Sequence, residues 1–189
     1  MRPKKILIVE DQFVAALQLK EMLKANHYEV VATADSGPDG VAMARKHKPD
    51  LILMDIKMPG NMDGIEAARI LRRDLDIPSI FLTGHSKPEL IERARKANPL
   101  GYILKPLYEG QIVAALEVAF KEREKEIIFH KSQQKVEKLL KKSTRELFDA
   151  GKLIAKQSND LEQAEKALNI LSGIRKGRKS SSEKQSPLN

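Results

Sequence analysis

The sequence predicts an α/β protein with a doubly wound, five-stranded parallel sheet and a helical C-terminal extension. Three observations carry this expectation. Short apolar runs recur five times between residues 4 and 104, at lengths that suit strands buried on both faces. Stretches with helical spacing separate them, and the connections are short, so the strands should be parallel and the crossovers right-handed. The basic charge lies elsewhere: residues 1–120 hold 17 Lys and Arg against 16 Asp and Glu, whereas residues 121–189 hold 17 against 10.

The first strand is expected over Lys4–Val9 and is closed by Glu10 and Asp11. Gln12–Ala25 follows as an amphipathic helix with Val14, Leu17, Met22 and Leu23 as its apolar residues and Asn26 as its stop. The β-branched run Tyr28–Thr33 makes strand two. Ser36 or Gly37 caps the next helix, Pro38 fits its first turn, and it runs to about His47. Strand three begins at Leu51 and ends on Asp55. Helix three spans Gly64–Leu75 with Ile65, Ala68 and Leu71 on one face. Strand four is Ser79–Leu82 and ends at Thr83; helix four spans roughly Lys87–Ala97. Strand five is Tyr102–Leu104 and ends at Lys105-Pro106, and helix five starts near Glu109.

The length of 189 residues fits one domain plus an extension, and a hydrophobic content of 41% is enough for a core. With no cysteine, disulfides, thiolate metal sites and cysteine nucleophiles are excluded. The basic start is followed by too short an apolar run for a signal peptide, and no run reaches the ~20 apolar residues of a membrane span, so a soluble, cytoplasmic protein is expected.

The strand ends carry the chemistry. In a parallel sheet the carboxyl ends share one edge, where such sheets bind ligands. Glu10, Asp11, Asp55, Thr83 and Lys105 would meet there. Three carboxylates repel unless a cation joins them, and an all-oxygen set suits Mg²⁺ rather than Zn²⁺. A cation site beside a carboxylate, a hydroxyl and an ammonium fits phosphoryl transfer, with Asp55 as nucleophile.

These residues resemble the receiver domain of two-component response regulators, over about residues 3–122. The matching pieces are Glu10-Asp11, Met54-Asp55-Ile56-Lys57-Met58-Pro59-Gly60, Leu82-Thr83-Gly84 and Tyr102-Ile103-Leu104-Lys105-Pro106. The resemblance implies a flavodoxin-like sheet and phosphorylation of Asp55 by a sensor histidine kinase or a phosphotransfer protein. It implies Mg²⁺ on Asp11, Asp55 and the Lys57 carbonyl, with Glu10 acting through a bound water. It further implies that Thr83 and Lys105 contact the phosphoryl oxygens, that Lys105-Pro106 is cis, and that Tyr102 changes rotamer with Thr83 as a switch. Such a protein is no enzyme beyond its own phosphorylation and dephosphorylation. Two departures stand out: Asn61 is an extra residue in the turn after Asp55, and Gly84 replaces the common alanine and opens access to the phosphoryl group.

Simpler readings exist for single residues. Glu10-Asp11 or Thr83 can cap helices, Tyr102 can be strand packing, and His27, His47, His85 and His130 are scattered without ligand spacing. The expected division is a receiver over 1–122, a helical extension over 123–172 and a basic disordered tail over 173–189. In the extension Leu140, Leu147, Ile154, Leu161 and Leu168 lie seven apart, but the positions three later are Ser143, Ala150, Gln157, Ala164 and Leu171. A homodimeric coiled coil and a set of two or three shorter helices, broken at Gly151 and capped at Ser158, are both open. The rival function is a phosphorylation-controlled DNA or RNA binder using the basic extension; no nucleic-acid-binding motif supports it. A third is a phosphohydrolase with an aspartate nucleophile.

Overall fold

The computed structural model describes residues 2–84, 88–157, 165–166 and 168–170. Five strands, β1 (Lys5–Val9), β2 (Glu29–Ala34), β3 (Leu51–Asp55), β4 (Ser79–Thr83) and β5 (Gly101–Leu104), alternate with α1 (Phe13–Ala25), α2 (Gly37–His47), α3 (Gly64–Leu75), α4 (Pro88–Arg95) and α5 (Glu109–Gln157). All strand pairs are parallel, in the order β2-β1-β3-β4-β5. The predicted doubly wound sheet is therefore the fold. The chain steps from β1 outward to β2 and then back across to β3, so the order reverses between β1 and β3. That switch point opens a crevice at the carboxyl ends of these two strands.

Alternation along the strands feeds two apolar layers. Leu7, Val9, Ile52, Met54 and Phe81 point to the side covered by α2, α3 and Ala94 of α4. Ile6, Ile8, Leu51, Leu53, Ile80 and Leu82 point to the side covered by α1 and the first turns of α5, through Ile112, Leu116 and Ala119. Leu51, Ile52, Leu53 and Met54 of β3 are all fully buried. Each contributes about 1.5–3 kcal/mol relative to exposure, which is why the central strand is apolar throughout until Asp55.

The helices differ from the sequence expectation in instructive places. Helix α1 buries Ala16, Leu19 and Leu23, while Val14 and Leu17 lie outside with Phe13. It carries two apolar stripes, and the one holding the smaller Ala16 faces the sheet. Ser36 is the cap of α2, its hydroxyl accepting from the Asp39 amide at 3.4 Å. Gly40 is set against Val9, since an added Cβ would meet its side chain at 2.9 Å. Helix α4 stops at Arg95, and Lys96 and Ala97 form a turn instead, their amides reaching the carbonyls of Arg93 and Ala94 at 3.2 and 3.1 Å. Lys87 lies outside the described residues.

The chain divides into two units, Met1–Ile127 and Ile128–Asn189. The first includes residues 123–127, which the sequence reading assigned to the extension. They are tied to the end of α3. Arg123 Nη2 donates to the Asp76 carboxylate at 2.6 Å and to the Asp76 carbonyl at 2.7 Å. Glu126 Oε2 accepts from Arg72 Nη2 at 2.7 Å and from Arg123 Nη1 at 3.0 Å. Partial burial would raise the Glu126 carboxyl, but the hydrogen bonds and charges of the two guanidiniums outweigh it and hold the carboxyl below its usual range. In the second unit α5 remains helical through Gly151 to Gln157. The predicted cap at Ser158 and the tail from residue 173 lie outside the described residues.

Candidate functional site

Strand register brings the chemistry together. Val9 pairs with Met54, so Glu10 emerges beside Asp55. Asp55 pairs with Leu82, and Thr83 pairs with Leu104, so Thr83 and Lys105 follow on the same edge. Backbone hydrogen bonds carry the sheet past its last residues: the amide of Glu10 reaches the carbonyl of Ala34 at 2.9 Å, that of Ile56 reaches Leu82 at 3.2 Å and that of Lys105 reaches Thr83 at 2.9 Å. The functional side chains thus hang from a fixed frame.

Glu10, Asp55 and Thr83 are buried polar residues, and Asp11 is exposed. The Lys105 ammonium lies 2.6 Å from Asp55 Oδ2 and donates to Glu10 Oε1 at 2.8 Å. It also lies 2.7 Å from Glu10 Oε2, yet that buried oxygen receives no aligned hydrogen bond from any described residue. Burial raises the Glu10 carboxyl above its ordinary range, and the Asp55 charge adds to this against the opposing pull of Lys105. Burial alone would depress the Lys105 ammonium, but its bonds to Asp55 and Glu10 more than compensate and hold it above the usual lysine range. One oxygen each from Glu10, Asp11 and Asp55 lies within 4.8 Å of the others. Two of these carboxylates, Glu10 and Asp55, share the Lys105 ammonium. The excess negative charge, the all-oxygen donors and the unaligned Glu10 Oε2 fit a small hard divalent cation such as Mg²⁺.

The loop after β3 shapes the other wall. The Lys57 amide donates to Asp55 Oδ1 at 3.1 Å and so orients the carboxylate. Asp63 caps α3 by accepting from the Glu66 amide at 2.9 Å, and it also accepts from Arg93 Nη2 of α4 at 2.7 Å. Gly64 is the residue whose importance the sequence reading missed. Its amide donates to the Ile56 carbonyl at 3.1 Å, and a Cβ on it would sit 1.8 Å from the Asp55 carbonyl oxygen. The signal was the Asp-Gly pair itself, a capping residue followed by the one residue type that lets α3 start directly on the end of β3. By contrast, a Cβ on Gly84 would meet nothing within 4 Å.

Tyr102 lies on β5, paired in register with Phe81 of β4. It is 40% exposed on β5 and packs on Phe81, with ring centroids 5.9 Å apart. Partial burial raises its phenol, Arg95 opposes this, and Glu92 adds to it. The Lys105-Pro106 peptide bond is cis. His85 lies outside the described residues. Among the described residues no helix is long and apolar enough to cross a membrane.

Comparison with known proteins agrees with this arrangement. The family model described as the response regulator receiver domain matches residues 6–117. The transcriptional regulatory protein PdtaR of Mycobacterium tuberculosis is 40% identical over 117 residues, which are 62% of this chain and 57% of that protein. The match thus spans little more than half of that relative's length. The chemotaxis protein CheY of Listeria monocytogenes is 34% identical over 118 residues, covering 62% of this chain and 98% of CheY. Among solved structures, the CheX–CheY–BeF₃–Mg²⁺ complex of Borrelia burgdorferi matches with a TM-score of 0.58 and 26% identity, over 62% of this chain and 90% of the other. The five-stranded parallel sheet, the acidic edge with its lysine and the match of more than half of the chain lead to one conclusion: the chain belongs to the response regulator receiver domain family.

Proposed function

We propose that the protein is a phosphoacceptor of a two-component phosphorelay, taking a phosphoryl group on Asp55 from a phosphohistidine of a sensor histidine kinase or a phosphotransfer protein. The observation that carries this reading is the buried Asp55 carboxylate, 2.6 Å from the Lys105 ammonium and within 4.8 Å of the oxygens of Glu10 and Asp11. An Asp55 oxygen attacks phosphorus, the phosphorus–nitrogen bond breaks, and the imidazole nitrogen leaves with its electron pair. The Lys57 amide at Asp55 Oδ1 holds the carboxylate for attack. Lys105 transfers its pairing from Asp55 to a phosphoryl oxygen, and the Thr83 hydroxyl donates to another. Asp11, Asp55 and the Lys57 carbonyl would hold Mg²⁺, with Glu10 behind a water; the ion supplies charge neutralisation for the transferring group. In the Borrelia structure named above, the CheY complex contains Mg²⁺ and BeF₃, a phosphoryl-group analogue, which supports the carry-over. Hydrolysis returns the carboxylate, so turnover is confined to the protein's own phosphoryl group. Tyr102 and its neighbours on α4, β5 and α5 are the surface that answers Thr83, and the signal leaves by protein contact. The reading places the chain in the cytoplasm, where ATP charges the kinase.

The test is incubation with Mg²⁺ and a small phosphoryl donor such as phosphoramidate. Wild type should gain one acid-stable, base-labile phosphoryl group and Asp55→Asn none. Equal labelling of the two, or no labelling of wild type, defeats the proposal.

A further inference from the structure

The second unit carries an apolar stripe that the phosphoacceptor reading does not use. With Leu140, Leu147 and Ile154 as position a of a seven-residue repeat, position d is taken by Phe129, Val136, Ser143 and Ala150. The large members of this seam are 48–64% exposed. The charges on the same stretch are segregated from it. All eight Lys and Arg between residues 128 and 157 fall at b, c or f, with Lys131, Lys138, Arg145 and Lys152 at f. None falls at a, d, e or g. A helix that is merely solvated has no reason to clear its cations from four positions in seven, whereas a helix that receives another along this seam does.

The sizes along the seam choose the orientation. After Gln133, position a is taken by Leu140, Leu147 and Ile154, while d narrows from Phe129 and Val136 to Ser143 and Ala150. In a parallel pair a meets a and d meets d, which stacks Ser on Ser and Ala on Ala and leaves voids between Leu layers. In an antiparallel pair a meets d. Centred near residue 145, this sets Leu140 on Ala150, Leu147 on Ser143 and Ile154 on Val136, each twice by symmetry. The same register brings Leu139 to Leu153 at the flanking g positions. Its one adverse contact is Glu146 with its own copy, tempered by Lys142 at 3.7 Å. The Val136-to-Ile154 overlap is about 27 Å long.

We propose that α5 pairs with α5 of a second copy of this chain as an antiparallel two-helix seam centred near residue 145. This goes beyond the phosphoacceptor reading and does not depend on it. Cysteine cross-linking tests it cleanly, because the chain has none of its own. Full-length Val136→Cys and Ile154→Cys proteins, oxidised as a mixture, should give the mixed disulfide, while neither should cross-link alone. Sedimentation should give twice 21.2 kDa for wild type and equally for Asp55→Asn. Ala150→Leu, which keeps a good helix former, should weaken the dimer at least tenfold. A monomer, a trimer, a self-linked Ile154→Cys, or an Ala150→Leu that tightens association overturns the proposal.

Discussion

Gly64→Ala tests whether the site is built on the backbone junction between β3 and α3. The added Cβ would lie 1.8 Å from the Asp55 carbonyl oxygen, 2.9 Å from its carbon and 3.1 Å from the Ile56 Cα. None of these atoms is the end of a flexible side chain. To reach even a tight contact of about 3 Å, α3 and the end of β3 must separate by roughly 1.2 Å, in an interior that yields little. Both sides are held. Asp55 belongs to a strand paired with β4, and Ile56 and Gly64 share the hydrogen bond that would have to stretch. Overpacking of this kind costs about 1–3 kcal/mol, and a clash with backbone belongs at the upper end. For a domain of this size about 3 kcal/mol lowers the melting temperature by roughly 10 °C. A misplacement near 1 Å can also cost on the order of 100-fold in rate. Thermal unfolding and the rate of phosphoryl uptake from a small donor, each against wild type, measure the two effects. An alanine variant melting within about 2 °C of wild type and labelled at the same rate would refute the reasoning, because the junction would then tolerate what its geometry forbids.

Three further outcomes follow. Gly84→Ala, with nothing within 4 Å of its new Cβ, should leave the melting temperature within about 2 °C and lengthen the aspartyl-phosphate half-life; an unchanged half-life removes Gly84 as a determinant of access. Mg²⁺ at ten times its dissociation constant should stabilise wild type by about 1.4 kcal/mol, and Asp11→Asn should lose that increment in a thermal shift experiment; equal shifts in both proteins count against Asp11 as a ligand. Arg123→Ala should destabilise the first unit by about 1–2 kcal/mol in urea, as it removes hydrogen bonds to Asp76 and Glu126 at once. Because the Glu126 carboxyl is depressed, its contribution is present above the ordinary Glu range and disappears as pH falls through the folded-state value. The stability gap between wild type and Arg123→Ala should therefore shrink below about pH 4, and a gap that widens on acidification would contradict this sign.

Much of the fold was legible because a buried parallel strand leaves an unmistakable trace. Ile6–Val9, Leu51–Met54 and Ile80–Leu82 are continuous apolar runs, and each ends on a polar residue that the topology delivers to one edge. The site residues were legible for the same reason, since Glu10, Asp55, Thr83 and Lys105 are all positioned by strand ends. What escaped depends on distances that no local pattern encodes. The choice between two apolar stripes on α1 was settled by the fit of Ala16 and Leu19 to the sheet, and the sequence offered Val14 and Leu17 equally well. The tie from Arg72 to Glu126 spans 54 residues and joins charges that read as ordinary surface. Gly151 argued for a break in α5, yet its cost of about 1 kcal/mol is small against a helix of 49 residues with good formers on both sides.

The Arg72–Arg123–Glu126–Asp76 cluster also bears on where a signal from Asp55 can emerge. Adding a phosphoryl group to the site brings more negative charge to a lysine already shared between Glu10 and Asp55. Under the phosphoacceptor proposal, that charge acts on the segment holding Lys105, which leads through Pro106 and Leu107 into α5. Motion passed into α5 then meets two guanidiniums that fix residues 123–126 to the end of α3 with bonds of 2.6–3.2 Å. Three of these four side chains are mostly buried, so the clamp is stiffer than an exposed pair, which contributes only about 0–1 kcal/mol. Among the described residues no comparable ion pair holds Tyr102, Leu104 and Tyr108, which are exposed apolar residues on β5 and the approach to α5. The phosphoacceptor proposal therefore expects the change on that face. If α5 pairs as proposed, over Val136–Ile154, the paired stretch follows the clamp in the chain, and the dimer should persist in both states, with phosphorylation altering what it presents rather than whether it forms.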